Sequence, residues 1–424
     1  MRVLLISANT EQINILPLPL GLNCVAVSAR NAGYDVRMID LMTEQDNRSS
    51  VGEAITSFNP DIIGISIRNI DDQNMENPRF FLDQVKKVVT LCRNLSGAPI
   101  ILGGAGYSIF PESVLDYLEA DMGIQGEGEV SFPLLLDRIE RGVGLSGIPG
   151  LYVRGLGIQG KRVFVKNLDA LPLPDAHILS LSAPDKQECW MPVQTRRGCP
   201  MDCSYCSTAT IEGRSIRKRR LDLVIKEIAG RIDAGFEWFY FVDNTFNIPL
   251  AYAKEICRRL IENGLTLSWR CILYPGRVDK ELIQLMARAG CKEVSLGFES
   301  GCELILHKMN KRYTLDAVRQ TSEMLKYVGI KRLGFLLLGG PGETRETAEQ
   351  SLVFADSLNL DALKITIGIR IYPYTELARI AIDERLILPG DNLLLPKFYI
   401  VENLKDWLRK TVRRWMADRH HWMF

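Results

Sequence analysis

The sequence predicts an α/β protein built as two parallel-sheet domains in series. The first is doubly wound, the second a partial (β/α)6 barrel, and a short helical piece ends the chain. Three observations predict this. Short apolar runs alternate with amphipathic stretches of ten or more residues, first over 1–145 and again over 189–375. Such alternation builds parallel strands with crossover helices. A segment rich in Gly, Pro and Leu, 146–188, separates the two series and reads as a small hairpin and an extended linker. At 424 residues the chain also exceeds the ~250–300 at which one core stops growing.

In the first series "RVLLIS" (2–7), "YDVRMID" (34–40), "PDIIGISI" (60–67) and "PIILGG" (99–104) are strands, and "ADMGIQGEGE" (120–129) carries another. Helices lie around "LGLNCVAVSARNAG", ending at Gly33, and around "FFLDQVKKVVTLCR". Ligands of doubly wound sheets bind beyond the carboxyl ends of the strands. Here those ends carry "SIRN" (66–69), "GGAG" (103–106) and "GEGE" (126–129). A loop free of side chains lets a large ligand approach the backbone, although glycine there also makes an ordinary tight turn.

The second series reads "MPVQTRR", "WFYFVDN" (238–244), "LSWRCILY" (267–274), "EVSLGFE" (293–299), "RLGFLLLGG" (332–340) and "LKITIGI" (363–369). Six parallel βα units curl toward a barrel, with chemistry at the carboxyl ends. Residues 376–424 form the helical C-terminal piece. In it Leu404, Trp407, Leu408, Val412, Trp415 and Met416 recur at helical spacing opposite Arg and Lys. That helix either packs on the barrel or lies on a membrane surface.

A net charge of +1 and 46% hydrophobic residues give no support to polyanion binding, and no nucleic-acid partner is expected. No apolar run reaches the ~18 residues of a membrane span. The N-terminal "MRVLLISANTEQ" reads as a strand rather than a secretion leader. A cytoplasmic, reducing setting is therefore expected for the ten cysteines. Cys24, Cys92, Cys257, Cys271, Cys291 and Cys302 stand isolated in apolar segments and read as small buried hydrophobes.

Only "RRGCPMDCSYCS" (196–207) clusters thiols: Cys199, Cys203 and Cys206, spaced C-x3-C-x2-C just after the first barrel strand. Three thiolates can hold three corners of a cubane iron–sulfur cluster and leave the fourth iron open. Thiolates suit zinc equally, but zinc needs a fourth ligand and no histidine lies nearby. The chain has only His177, His307, His420 and His421, and Cys189 stays open as a rival fourth ligand.

With an aromatic, Tyr205, before the last cysteine, this loop resembles the defining motif of the radical SAM superfamily. "FVDNTFN" (241–247), "GCKEVSLGFESG" (290–301), "KMNKRYT" (308–314) and "GFLLLGGPGET" (334–344) resemble segments of the members that carry an N-terminal cobalamin domain. The resemblance implies a 4Fe-4S cluster on the three cysteines, with S-adenosylmethionine (SAM) chelating the open iron and cleaved to a 5′-deoxyadenosyl radical. It implies that Tyr205 flanks SAM and that Glu299 meets its ribose or amino end, unless Glu299 is only a surface or salt-bridged carboxylate. It also places Asp243 and Asn244 at SAM, and Gly339 and Gly340 near the adenine, unless these glycines form only a tight turn.

The same resemblance makes 1–145 a Rossmann-like cobalamin-binding domain and 189–375 a radical SAM barrel. Cobalamin domains with a histidine ligand carry Asp-x-His-x-x-Gly after the first strand, Ser-x-Leu after the third and Gly-Gly after the fourth. Here Ser66 and Gly103–Gly104 fit, Arg68 replaces the leucine, and no histidine precedes His177. The corrin is therefore expected base-off, with no histidine from this domain. Ser66, Arg68, Asn69, Gly103, Gly104, Gly126 and Glu127 are the candidate contacts. Guanidinium stays protonated and cannot ligate cobalt. Arg68 beneath the ring would discourage water and favour four-coordinate cobalt(I), unless it simply pairs with Asp71 or Asp72.

What the resemblance implies first is a methyltransferase that moves methyl from methylcobalamin to an unactivated carbon opened by the radical. Cyclisation, ring contraction or carbon–carbon coupling with the same cofactors is the alternative, and a methylthiotransferase a minor one. The substrate would be a small molecule, lipid or peptide, and the electron donor a flavodoxin or ferredoxin. "RSIRKRR" (214–220) reads as a solvated face, a receiver of a carboxylate or phosphate, or a reductant dock.

Overall fold

The computed structural model describes residues 1–11, 18–175 and 189–424. His177 and the rest of the expected linker from 176 to 188 fall outside them.

Val- and Ile-rich strands buried on both faces build the first sheet, as parallel strands between helices require. The strands are β1 (Arg2–Ser7), β2 (Asp35–Asp40), β3 (Ile62–Ser66), β4 (Ile100–Gly103) and β5 (Met122–Ile124), followed by β6 (Leu151–Val153) and β7 (Gly157–Ile158). Their order is β2-β1-β3-β4-β5-β6-β7, parallel through β5 and antiparallel beyond. Helices Leu20–Asn31 and Gly128–Glu140 cover one face. Helices Asn47–Phe58, Leu82–Leu95 and Pro111–Leu118 cover the other. The direction of winding reverses between β1 and β3, which opens a crevice at their carboxyl ends. The expected domain limit at 145 shifts, because the β6–β7 hairpin pairs onto β5 and extends this sheet to Ile158. Pairing satisfies the edge of β5, which would otherwise present bare backbone groups.

The second sheet takes β8 (Trp190–Val193), then β11 (Trp238–Phe241), β12 (Ser268–Leu273), β13 (Cys291–Glu299), β14 (Lys331–Leu338) and β15 (Ala362–Ile367) in sequential parallel order. Between β8 and β11 a two-residue ladder pairs β9 (Arg196–Arg197) with β10 (Arg217–Lys218). Alternate residues such as Trp269, Leu296 and Ile365 are buried against the outer helices. Tyr240, Arg270, Ser295 and Phe335 fall on the other, half-buried face, as the two-residue period of a strand dictates.

The C-terminal piece is not purely helical. β16 (Ile369–Arg370) pairs with β17 (Phe398–Tyr399), and β18 (Trp422–Met423) adds a seventh strand beside β15. Helix Lys405–Met416 buries Leu408 and Val412 completely in the barrel core, with Trp407, Trp415 and Met416 packed around them. Its apolar face is thereby covered by protein, so the membrane-surface reading loses its basis. No helix among the described residues is long and apolar enough to cross a membrane.

Two sets of ion pairs join the domains. Asp71, in the loop after β3, pairs with Arg370 at 2.8 Å, both almost wholly buried. Farther along that loop Glu76 pairs with Arg409. On the other side Glu127 and Glu129 receive Arg197 and Arg217. The basic run 214–220 is thus split, with Arg214, Lys218 and Arg220 exposed and Arg217 and Arg219 buried. Arg217 is spent on Glu127, and Arg219 donates to the carbonyls of Leu168, Leu171 and Pro172.

Candidate functional site

Where the strand ends of the two sheets meet, a cavity of about 520 Å³ opens, the room of a large ligand. The crevice side brings Ser66, Arg68, Gly103, Gly104, Gly126 and Glu127 to it. The barrel side brings Trp190, Gln194, Tyr240 and Asn244, together with Thr208 and Glu212 just beyond the cysteine loop. Asn69 instead lines a small separate cleft beside Asn9 and Glu11.

The glycines shape this floor. Gly104 has φ +100°, and a Cβ there would lie 2.4 Å from the Ile67 carbonyl oxygen. A Cβ on Gly103 would meet nothing nearer than 4.0 Å, so only its absence keeps the floor flat. Among the described residues Arg68 has no hydrogen bond or ion pair. Asp71 is taken by Arg370 and Asp72 by Arg79, which removes the local-pairing alternative. Arg68 is open to the cavity yet crowded by protein, and this desolvation lowers its pKa while Tyr240 opposes the shift.

Glu127 lines the cavity and also binds across the domain joint. Its carboxylate accepts from the Val165 amide at 2.6 Å and from Arg217 at 2.5 Å, with Arg197 at 3.3 Å. These contacts close the domain joint at the edge of the cavity.

The cysteine loop is pinned at both ends: the Cys199 amide donates to Gly213, and the Ser204 amide to Met309. Cys199 and Cys203 are half-buried and Cys206 is exposed, and none forms a disulfide. Burial pushes the Cys199 thiol up to about 11. Burial also raises Cys203, with Lys311 pulling the other way. Cys189 lies in the barrel core at the opposite end of β8, and a strand rises ~3.3 Å per residue, so it is no fourth ligand. One zinc ion at 2.3 Å from each sulfur would hold sulfurs about 3.8 Å apart. No three Cys, His, Asp or Glu among the described residues gather that way. A cubane is larger than an ion and takes its corner thiolates spread apart, as three cysteines over eight positions of one loop can present them.

The profile of the radical SAM superfamily matches residues 193–355, and that of the B12 binding domain matches residues 8–136. The chain is a radical SAM enzyme with a B12-binding domain. It is 28% identical to an uncharacterized methyltransferase of Pyrococcus horikoshii, over 97% of this chain and 91% of that one. It is 27% identical to the anaerobic magnesium-protoporphyrin IX monomethyl ester cyclase of Rubrivivax gelatinosus, over 78% of this chain and 60% of that one. It shares its fold with a radical S-adenosylmethionine methyltransferase of Kitasatospora setae solved with cobalamin and a 4Fe-4S cluster bound. That match has a TM-score of 0.88 at 20% identity, over 100% of this chain and 92% of that one.

Within the radical SAM domain, Asp243 is a clamp on the strand that leads into the cysteine loop. Its carboxylate accepts from the Thr195 amide (2.8 Å) and hydroxyl (2.7 Å), and from the Arg196 amide (3.1 Å) and Nε (3.2 Å). Asn244 does line the cavity. It donates to Glu212 at 2.6 Å, and Glu212 also accepts from the Gly198 amide, next to Cys199. Burial raises the Glu212 pKa. Gly339 and Gly340 do not face the cavity. A Cβ on Gly339 would lie 2.9 Å from Ile400, and one on Gly340 3.1 Å from Ile369 and Met309. The Gly339 amide is held by buried Glu343 at 2.7 Å.

Glu299 sits at the end of β13 with φ +60°, a strained backbone of the kind that gathers at functional sites. Its partner is Lys311 at 3.2 Å. The Lys311 ammonium lies 5.2 Å from the centre of the Tyr205 ring, itself inside the cysteine loop. Lys311 escaped sequence reasoning because Lys308, Lys311 and Arg312 form a short basic run with no period. Glu212 and Arg197 escaped because their partners are distant in sequence.

Proposed function

We propose that this chain is a cobalamin-dependent radical SAM methyltransferase acting on an unactivated carbon, with the corrin bound base-off. The observation that carries the reading is the single cavity bordered at once by the crevice of the B12-binding domain and by the residues next to the cysteine loop. When bound, the cluster and SAM supply a carbon radical and the corrin carries a methyl group. Cys199, Cys203 and Cys206 would hold the cluster, with Tyr205 and Glu299 nearest it on the SAM side. Asn244 and Glu212 brace the loop from the cavity side.

Flat glycine backbone at 103–104 would seat the ring, and Ser66 would meet its nucleotide tail. Arg68, charged and unpaired, would place a positive charge next to the bound corrin without ligating its metal. Trp190 and Tyr240 wall the cavity toward the barrel and exclude water. A reductant of flavodoxin or ferredoxin type would approach at Cys206, the exposed member of the trio.

Anaerobic purification followed by iron and cobalt analysis and a visible spectrum tests the cofactor reading; zinc without iron would sink it. Replacing Arg68 with Leu is expected to slow methyl transfer from SAM to the corrin at least tenfold and to shift the corrin spectrum toward a water-ligated form. Unchanged transfer would refute the role of Arg68. The similarity to a cyclase keeps cyclisation as a second reading. Product mass separates the two, because methylation adds one CH2 and cyclisation removes hydrogens without adding carbon. A methylthiotransferase would need an auxiliary cluster in the first domain. Its cysteines there, Cys24 and Cys92, are buried and pushed to about 12, so that domain has no reactive thiolate to offer.

A further inference from the structure

A lysine withdrawn from water demands a reason, since ammonium is strongly hydrated and its burial is costly. The side chains of Lys311 and Glu299 are only 7% and 12% exposed, and they pair at 3.2 Å. The pair does not stand alone. The Lys311 ammonium also borders the cysteine loop, because Tyr205 stands between Cys203 and Cys206. Tyr205 lies against the same ammonium, its ring centre 5.2 Å away. Tyr313 is turned aside, its hydroxyl donating to the carbonyls of Gly297 and Phe298. Arg312 points outward to Asp202 at the rim. A buried cation therefore lies beside the cysteine loop, paired with Glu299.

We propose that Lys311 is the residue that sets how readily the cluster accepts an electron. This rests on the reading that Cys199, Cys203 and Cys206 hold a 4Fe-4S cluster. One-electron reduction adds one unit of negative charge to the cluster and its thiolates. The electron comes from an external low-potential donor, and no proton or leaving group accompanies it. A fixed cation beside the cysteine loop, in a setting of low dielectric, stabilises that added charge. Glu299, its counter-ion, weakens the effect. Lys311 thus acts as a tuning residue, opposed by the carboxylate it is paired with.

The test is an EPR-monitored redox titration of the anaerobically reconstituted full-length enzyme without SAM, using dithionite as reductant. Lys311→Gln is expected to disfavour reduction about tenfold, a fall of about 59 mV for one electron, and Lys311→Arg to stay near the wild-type value. Glu299→Gln is expected to shift the potential upward, and it decides the matter should Lys311→Gln lose its iron. Potentials unchanged in both charge-removing variants would overturn the proposal. So would an equal fall in Lys311→Arg, which would show packing at work rather than charge. A wild-type protein with no iron–sulfur signal would instead refute the underlying cluster reading.

Discussion

Asp243 shows what sequence can and cannot say of a single residue. An acid just past a barrel strand was legible as a site residue, and it does sit beside the cysteine loop. Its orientation was not legible, because that depends on Thr195 and Arg196, nearly fifty positions earlier. Its job is to hold the two residues that lead into the loop. Asp243→Ala strands the buried Arg196 guanidinium and is expected to destabilise the fold by about 3–5 kcal/mol, as breaking one side of a buried pair does. Denaturant melts of the protein check this, and a loss below about 1 kcal/mol would contradict the clamp. Arg68 and Gly103–Gly104 were legible for the opposite reason: strand ends in a doubly wound sheet face the crevice whatever the rest of the chain does.

Among the elements, strands with strong period or long apolar runs were readable to within a few residues. The hairpin was readable as a hairpin but not as part of the first sheet. Two-residue strands at 398–399 and 422–423 carry no period at all. The turn after β14 shows why glycine is ambiguous in sequence: it admits either close ligand approach or close packing, and here Ile400 and Ile369 pack close to it. That turn contains a pH-sensitive element. Burial pushes Glu343 up to about 7, although the amides of Gly339 and Gly340 partly offset this. The folded state therefore keeps a proton that the unfolded chain releases near pH 4–5. Stability from this group is complete below that range and declines as pH rises toward about 7. Wild-type protein should melt at lower temperature at pH 8 than at pH 5 by an amount equivalent to about 2–3 kcal/mol. Glu343→Gln should flatten that difference, and an identical pH dependence in the variant would exclude Glu343 as its source.

At the scale of the whole molecule, two domains legible from a repeated alternation turn out to share one of three hydrophobic clusters. Side chains of the first sheet, such as Leu4 and Ile65, cluster with Ile305, Met309 and Ile371 of the second half. The joint between them was invisible in sequence because its charges are 299 positions apart in the case of Asp71 and Arg370. That joint bears on time as well as on shape. A cavity between two bodies exchanges its occupant only as fast as the bodies part, and here parting breaks ion pairs screened from solvent. The corrin should consequently stay through prolonged dialysis, with a residence time set by domain opening and little altered by salt. Asp71→Asn lies outside the cavity lining yet should shorten that residence at least tenfold, as followed by loss of corrin absorbance into excess apoprotein of a corrin-binding scavenger. The same latch makes cofactor loading a matter of assembly order: a corrin present while the two halves close would be enclosed, and one arriving later would wait outside.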